Sequence, residues 1–130
     1  MTIRWNRPRD SQGAVAVEFA LLLPVVLAIF AGMFDFGLVF NAQIQVSQAA
    51  QAGARALALG LDDSVVTARA QGASPVLGLG SGNVSTSGCS GGADSSASVT
   101  VSYPFHFPIP IPGVGDITIA QRAVSPCTPS

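Results

Sequence analysis

The side chains able to do chemistry are few in this chain of 130 residues: one histidine (His106), two cysteines (Cys89 and Cys127) and seven carboxylates. A metal site needs several His, Cys or carboxylate ligands at short spacing. A catalytic centre needs a nucleophile beside a base. Neither spacing occurs, so no catalytic residue, no metal and no cofactor are expected, and the chain is not read as an enzyme. His106 stands among prolines with no carboxylate or thiol near it in sequence, and is expected to be an exposed surface residue. Two carboxylates are placed more tellingly. Glu18 and Asp35 alone interrupt the apolar run from Ala14 to Phe40, with sixteen uncharged residues between them. Membrane-embedded acids cost about 2.5–3.5 kcal/mol on insertion scales and usually have a partner and a task. Asp35, near the outer end of the run, is expected to reach interfacial water.

The elements that position these acids follow from composition. The chain is 48% hydrophobic and 10% charged, with net charge −1 and no lysine. That charge is less than half the usual share for a soluble domain, and the balance excludes a nucleic-acid coat. The run from Ala14 to Phe40 would extend about 40 Å as a helix, enough for a bilayer core of about 30 Å. We read it as one transmembrane helix. Arg4, Arg7 and Arg9 precede it, and no basic residue follows until Arg55. Basic flanks stay cytoplasmic, so residues 41–130 are expected outside. A cleaved secretory signal fits less well, because its apolar core is roughly 7–15 residues. Pro24 lies inside the helix and is expected to kink or loosen one turn. The Ala28/Gly32 pair, with Gly37 beside Asp35, suits close helix packing.

A basic leader, then Gly13, then an apolar helix with Glu at its fifth position, is the layout of a type IV prepilin-like leader. In that layout a membrane peptidase cuts after the glycine. Cutting between Gly13 and Ala14 would free an ammonium about one turn from Glu18. In a stack of identical helices, the Glu18 carboxylate of one subunit would pair with the amine of its neighbour and set the register.

The stretch from Gly13 through Glu18-Phe19-Ala20 to Pro24, then Gly32 to Gly37 with Asp35-Phe36-Gly37, then the Ala52-Gly53-Ala54-Arg55 run, resembles the TadE-like family. These are pseudopilins of tight-adherence (Flp-type) pilus systems. The resemblance covers residues 12 to 60. It implies a protein of the bacterial inner membrane, processed by a prepilin peptidase, with sister pilin-like subunits, the pilus assembly machinery and membrane lipid as partners. It implies no nucleic acid and no small-molecule substrate. The family leads one to expect a strand-like, often acidic C-terminus, from which Ser125-Pro-Cys-Thr-Pro-Ser130 departs. Asp35-Phe36-Gly37 also matches a kinase tripeptide, and Gly78 to Gly82 a phosphate-loop fragment. Neither has the surrounding elements those motifs need.

The fold expected is α+β. Residues 1–13 form the leader, 14–40 the span and 41–60 an outer continuation of the same helix. Residues 61–130 form a small outer domain. In 41–60, Val46, Ala49, Ala50, Gly53 and Leu57 recur on one narrow face. That face can pack on sister subunits or on the chain's own domain, and both remain open. Gly60 is a helix stop. Leu61 to Gly72 is expected as a second helix, capped by Asp62 or Asp63. From Gly78 to Ser98, thirteen of twenty-one residues are Gly or Ser, and a loop is expected. From Val99 to Ile111 the odd positions are apolar, the period of an extended chain. Four prolines bar the later half from a central strand. A turn at Gly113–Asp116 and a returning strand at Ile117–Gln121 give an antiparallel hairpin or meander. Tyr103, Phe105 and Phe107 are expected in its core. Cys89 and Cys127 are expected to pair in an oxidising compartment, with two free thiols as the alternative.

The leading functional expectation is a pilin-like subunit cut after Gly13. The second is an uncut single-pass anchor that displays a small binding domain.

Overall fold

Forty-eight consecutive residues with no internal glycine pair and one proline form a single helix, α1 (Ser11–Ala58), in a computed structural model describing residues 2, 11–89, 91, 95–110 and 112–128. At 1.5 Å per residue it is about 72 Å long. Its assignment is unbroken through Pro24. It starts three residues before the expected Ala14. The leader arginines Arg4, Arg7 and Arg9, with Asp10, lie outside the described residues.

The helix ends as a glycine stop predicts. Gly60 has φ +74°, its N–H donates to the Leu57 carbonyl, and the Leu61 N–H donates to the Ala56 carbonyl. These two bonds satisfy end carbonyls in the manner of a Schellman motif. A second helix, α2 (Asp63–Ala73), comes next. It runs one residue past Gly72, the expected stop, and Ser74 ends it. Asp62 occupies its N-cap but makes no side-chain cap bond. Its backbone carbonyl instead accepts from Val65 and Val66 N–H at 2.9 and 3.0 Å. Ser74, buried, donates its hydroxyl to the Gln45 carbonyl at 2.6 Å and fastens the end of α2 to α1.

Three antiparallel strands make one sheet in the order β1–β2–β3: β1 (Val84–Ser87), β2 (Ser96–Phe105) and β3 (Ile117–Pro126). The α+β class and the antiparallel meander expected from the sequence are the observed architecture. Three details differ. β1 lies inside the stretch expected as a loop, because its pairing with β2 (Val84↔Val101 through Ser87↔Ser98) supplies the order that Gly and Ser withhold. Asn83 helps fix it, donating from Nδ2 to the Ser102 carbonyl at 2.8 Å. β3 continues five residues past Gln121, so the Ser125–Pro126 end is strand after all. β2 stops at Phe105, and the proline-rich continuation is not strand. Pro104 itself falls where β1 no longer flanks β2, so that edge asks for no N–H there.

The sheet and α2 bury one face of α1. Ala42, Val46, Ala49, Ala50, Ala54 and Leu57 meet Val66 and Ala70 of α2 and Val99, Val101, Phe105 and Ile119 of the sheet. Most of the helix side is alanine or glycine, which lets the strands approach closely. Gly53 is the tightest point: a Cβ there would stand 3.1 Å from Val99 Cγ1 and 3.6 Å from Val66 Cγ1. The small-residue face therefore packs on the chain's own domain. Tyr103 and Phe107 are half-buried against this core, and Phe105 and Phe107 stack edge to face at 5.4 Å. Cys89 and Cys127 form the expected disulfide. Beside it, Thr128 Oγ1 donates to the Ala58 carbonyl at 3.2 Å, so the end of the chain caps the end of α1.

Candidate assembly surfaces along the helix

Gly13 and Ala14 stand in the first turn of α1. No side chain crowds them, since a Cβ on Gly13 would meet nothing within 4 Å. Glu18 lies one turn later, exposed, on a surface that also bares Val15, Val17, Phe19 and Leu21.

The most apolar window of α1 has mean hydropathy 2.6 and none of it is covered by the rest of the chain. A core helix of a soluble protein is covered on at least one face. This one exposes Leu22, Leu27, Ile29, Phe30, Met33 and Phe34 together. An exposed apolar surface of this size calls for lipid or for other helices. Pro24, Ala28 and Gly32 all lie on the bare stretch. At 100° per residue, Ala28 and Gly32 fall on the line that continues upward through Asp35, Ala42, Val46 and Gly53. Gly37 points to the opposite side of the helix. The packing residues thus divide: Gly53 serves the internal core, Ala28 and Gly32 lie open below the domain, and Gly37 is open on the far face.

Asp35 differs from expectation. It is 1% exposed, and neither carboxylate oxygen has a hydrogen-bond partner. Its position at the outer end of the apolar run suggests water access. No local pattern around residue 35 signals that the outer domain reaches down to cover it.

His106 is exposed, as expected, but it has a carboxylate partner that its sequence neighbours do not show. Its Nδ1 lies 2.9 Å from Asp116 Oδ2, a carboxylate ten residues away across the β2–β3 connection. Both side chains are largely exposed, at 70% and 65%, and such a pair contributes little to stability. Among the described residues no group of three His, Cys, Asp or Glu is placed to hold a metal ion. On the other side of the domain, Phe40, Gln43, Ser47 and Gln51 of α1 and Gln121 of β3 line an open groove. Its polar amides distinguish it from the bare apolar surface below.

One long helix, bare and apolar in its lower half and roofed by a small α+β domain in its upper half, defines a single-pass membrane protein. The sequence model of the family described as TadE-like protein matches residues 13–55, and the family resemblance seen in the sequence holds over that helix. No curated protein and no solved structure matches the chain.

Proposed function

We propose that this chain is a pilin-like membrane subunit that takes part in assembling a tight-adherence type pilus or a related secretion apparatus. The observation that carries the reading is the division of α1. Its upper half is used up by the chain's own domain, whereas its lower half presents an unbroken apolar surface with one exposed carboxylate, Glu18, a turn from Gly13–Ala14. A helix free on all sides from Gly13 to Phe30 can pack laterally on sister helices. The TadE-like match over residues 13–55 agrees with this role. In this reading a prepilin peptidase removes residues 1–13 on the cytoplasmic side of the bacterial inner membrane. The new Ala14 amine then pairs with Glu18 of a neighbouring subunit. In an apolar surrounding neither charge is tolerated alone, so the pair favours one register. The outer domain stands on the far side of the membrane, in contact with the assembly machinery.

The test is the N-terminus of the protein from its own host, by intact mass and N-terminal sequencing, with the peptidase present and absent. A start at Ala14 only when the peptidase is present supports the reading. A start at Met1 or Thr2 in both overturns it, and leaves an uncut anchor displaying a small outer domain.

A further inference from the structure

The chain between Phe105 and Ile117 is apolar, with three exposed prolines and two glycines, Gly113 and Gly115, at its turn. Its placement is set by the register of β2 on α1. Val99 lies against Gly53, and Phe105 lines a cavity with Leu38 and Ala42. Six residues of strand thus descend beside about thirteen of helix, roughly 20 Å by either rise. β2 therefore runs toward the bare half of α1. Two further residues of extended chain would bring Phe107 about level with Asp35, and Leu38, one turn above Asp35, lines a cavity with Phe105, His106 and Pro108. Burial agrees. On the face of α1 that meets the domain, cover begins at Ala31, half-buried, and Asp35, buried. A helix alone cannot hide an aspartate from solvent this fully. The neighbouring 3-10 turn at Pro75–Leu77 leaves Val76 82% exposed, while its Leu77 packs half-buried against the core.

We propose that this β2–β3 tip is a second membrane contact: it roofs Asp35 and sets Ile109 and Val114 into the outer lipid leaflet beside α1. Ile109 is 37% and Val114 47% exposed, on a tip whose described ionisable side chains are His106 and Asp116, in contact with each other at its neck. The occupant is lipid because the tip is continuous with a lipid-facing surface. Met33, Phe34 and Phe36 of α1 are bare at the same level. Sixteen uncharged residues, about 24 Å of helix, separate Glu18 from Asp35. This is shorter than a hydrocarbon core of about 30 Å. With Glu18 at the inner boundary, Asp35 thus stands a few ångströms inside the outer one, where a carboxylate needs shielding from lipid and the shield itself must be apolar outside.

The proposal rests on α1 spanning the membrane, and the experiment separates the two. Trp5, the sole tryptophan, is replaced by Phe in the full chain. Single tryptophans are then placed as Phe30→Trp, Ile109→Trp, Val114→Trp or Val124→Trp. Each protein is reconstituted into phosphatidylcholine vesicles without brominated lipid, with lipid brominated near the glycerol end of its acyl chains, and with lipid brominated deeper in them. The expected result is loss of emission at 109 and 114, quenching at 30 by lipid brominated deeper in the chain, and none at 124 on β3. Quenching at 30 without quenching at 109 and 114 overturns the tip contact and leaves the span intact. No quenching at 30 overturns the span, and the tip contact with it. A blue-shifted but unquenched 109 and 114 would place the tip against protein, and also overturns the lipid contact.

Discussion

Gly53 and Val99 are so close that the backbone of α1 nearly touches the side chain of β2: an added Cβ would sit 3.1 Å from Val99 Cγ1. Sequence pattern alone allowed the small-residue face of the outer helix to serve sister subunits, but this contact assigns it to the chain's own sheet. Two effects oppose each other on substitution. Alanine gains about 1 kcal/mol in helix propensity over glycine, while Val99 must shift by a few tenths of an ångström. Gly53→Ala is expected to change stability by less than about 1 kcal/mol. Gly53→Leu has no room between Val99 and Val66 and is expected to cost about 1–3 kcal/mol or more. Unfolding midpoints of the detergent-solubilised protein would check both, and a neutral Gly53→Leu would show that the sheet does not pack here.

Asp35 is expected to be a stability defect of the isolated chain. Its two oxygens are buried without partners, and a buried unsatisfied polar group costs about 1–3 kcal/mol, more if charged. Asp35→Leu supplies an apolar side chain of comparable size and is expected to raise the unfolding free energy by about that amount. Asp35→Asn keeps a polar group in the same place and should gain less. If Asp35→Leu destabilises the domain, the carboxylate has a partner in solution and the packing around it is different.

Much of this fold could be read from local pattern. The apolar helix over residues 14–40, the αL glycine at position 60 and the period of two from Val99 as far as Phe105 each express a local rule, and each holds in the structure. The features that escaped reading are set by long-range contacts. β1 has a single apolar residue, Val84, and becomes a strand only through pairing with β2, Val84↔Val101 to Ser87↔Ser98. The His106–Asp116 pair depends on a turn that brings two distant polar residues together. The burial of Asp35 depends on how far the sheet reaches along the helix, which no window centred on residue 35 contains. For the leader and Glu18 the sequence is informative through motif spacing, and the isolated chain adds that Gly13, Ala14 and Glu18 are exposed.

The Cys89–Cys127 disulfide is expected to supply a large share of the stability of the outer domain. It closes a loop of 38 residues, worth about 4 kcal/mol in the chain-entropy model. It also holds the segment whose Thr128 caps α1 at Ala58. The double variant Cys89→Ser/Cys127→Ser should unfold at markedly lower denaturant, and limited proteolysis should cut first in residues 78–98. Intact mass before and after reduction with alkylation should differ by two blocked thiols. Equal denaturation midpoints for oxidised and reduced protein would mean that the sheet and α2 hold the domain unaided.

Glu18 is expected to matter for assembly and not for folding. In the single chain it is exposed on a bare helix, so Glu18→Ala breaks no core contact. Removing an acid from the apolar run should make membrane insertion easier, by up to about 3 kcal/mol if the side chain sits deep in the bilayer. The outer domain should unfold as in the parent, within about 0.5 kcal/mol. Cleavage after Gly13 should persist, because the bond and its flanking residues are unchanged. If Glu18 pairs with the Ala14 amine of a neighbour, that amine would be left uncompensated in the packed state, and assembly should fail while inserted, processed subunit accumulates. Glu18→Asp, which keeps the charge but shortens the reach, should recover part of the function, whereas Glu18→Gln should not. The measurements are membrane fractionation, N-terminal sequencing and counts of surface filaments, made on the same cells. Normal filament numbers with Glu18→Ala would remove the amine pair from the mechanism and shift register selection to the Ala28 and Gly32 face.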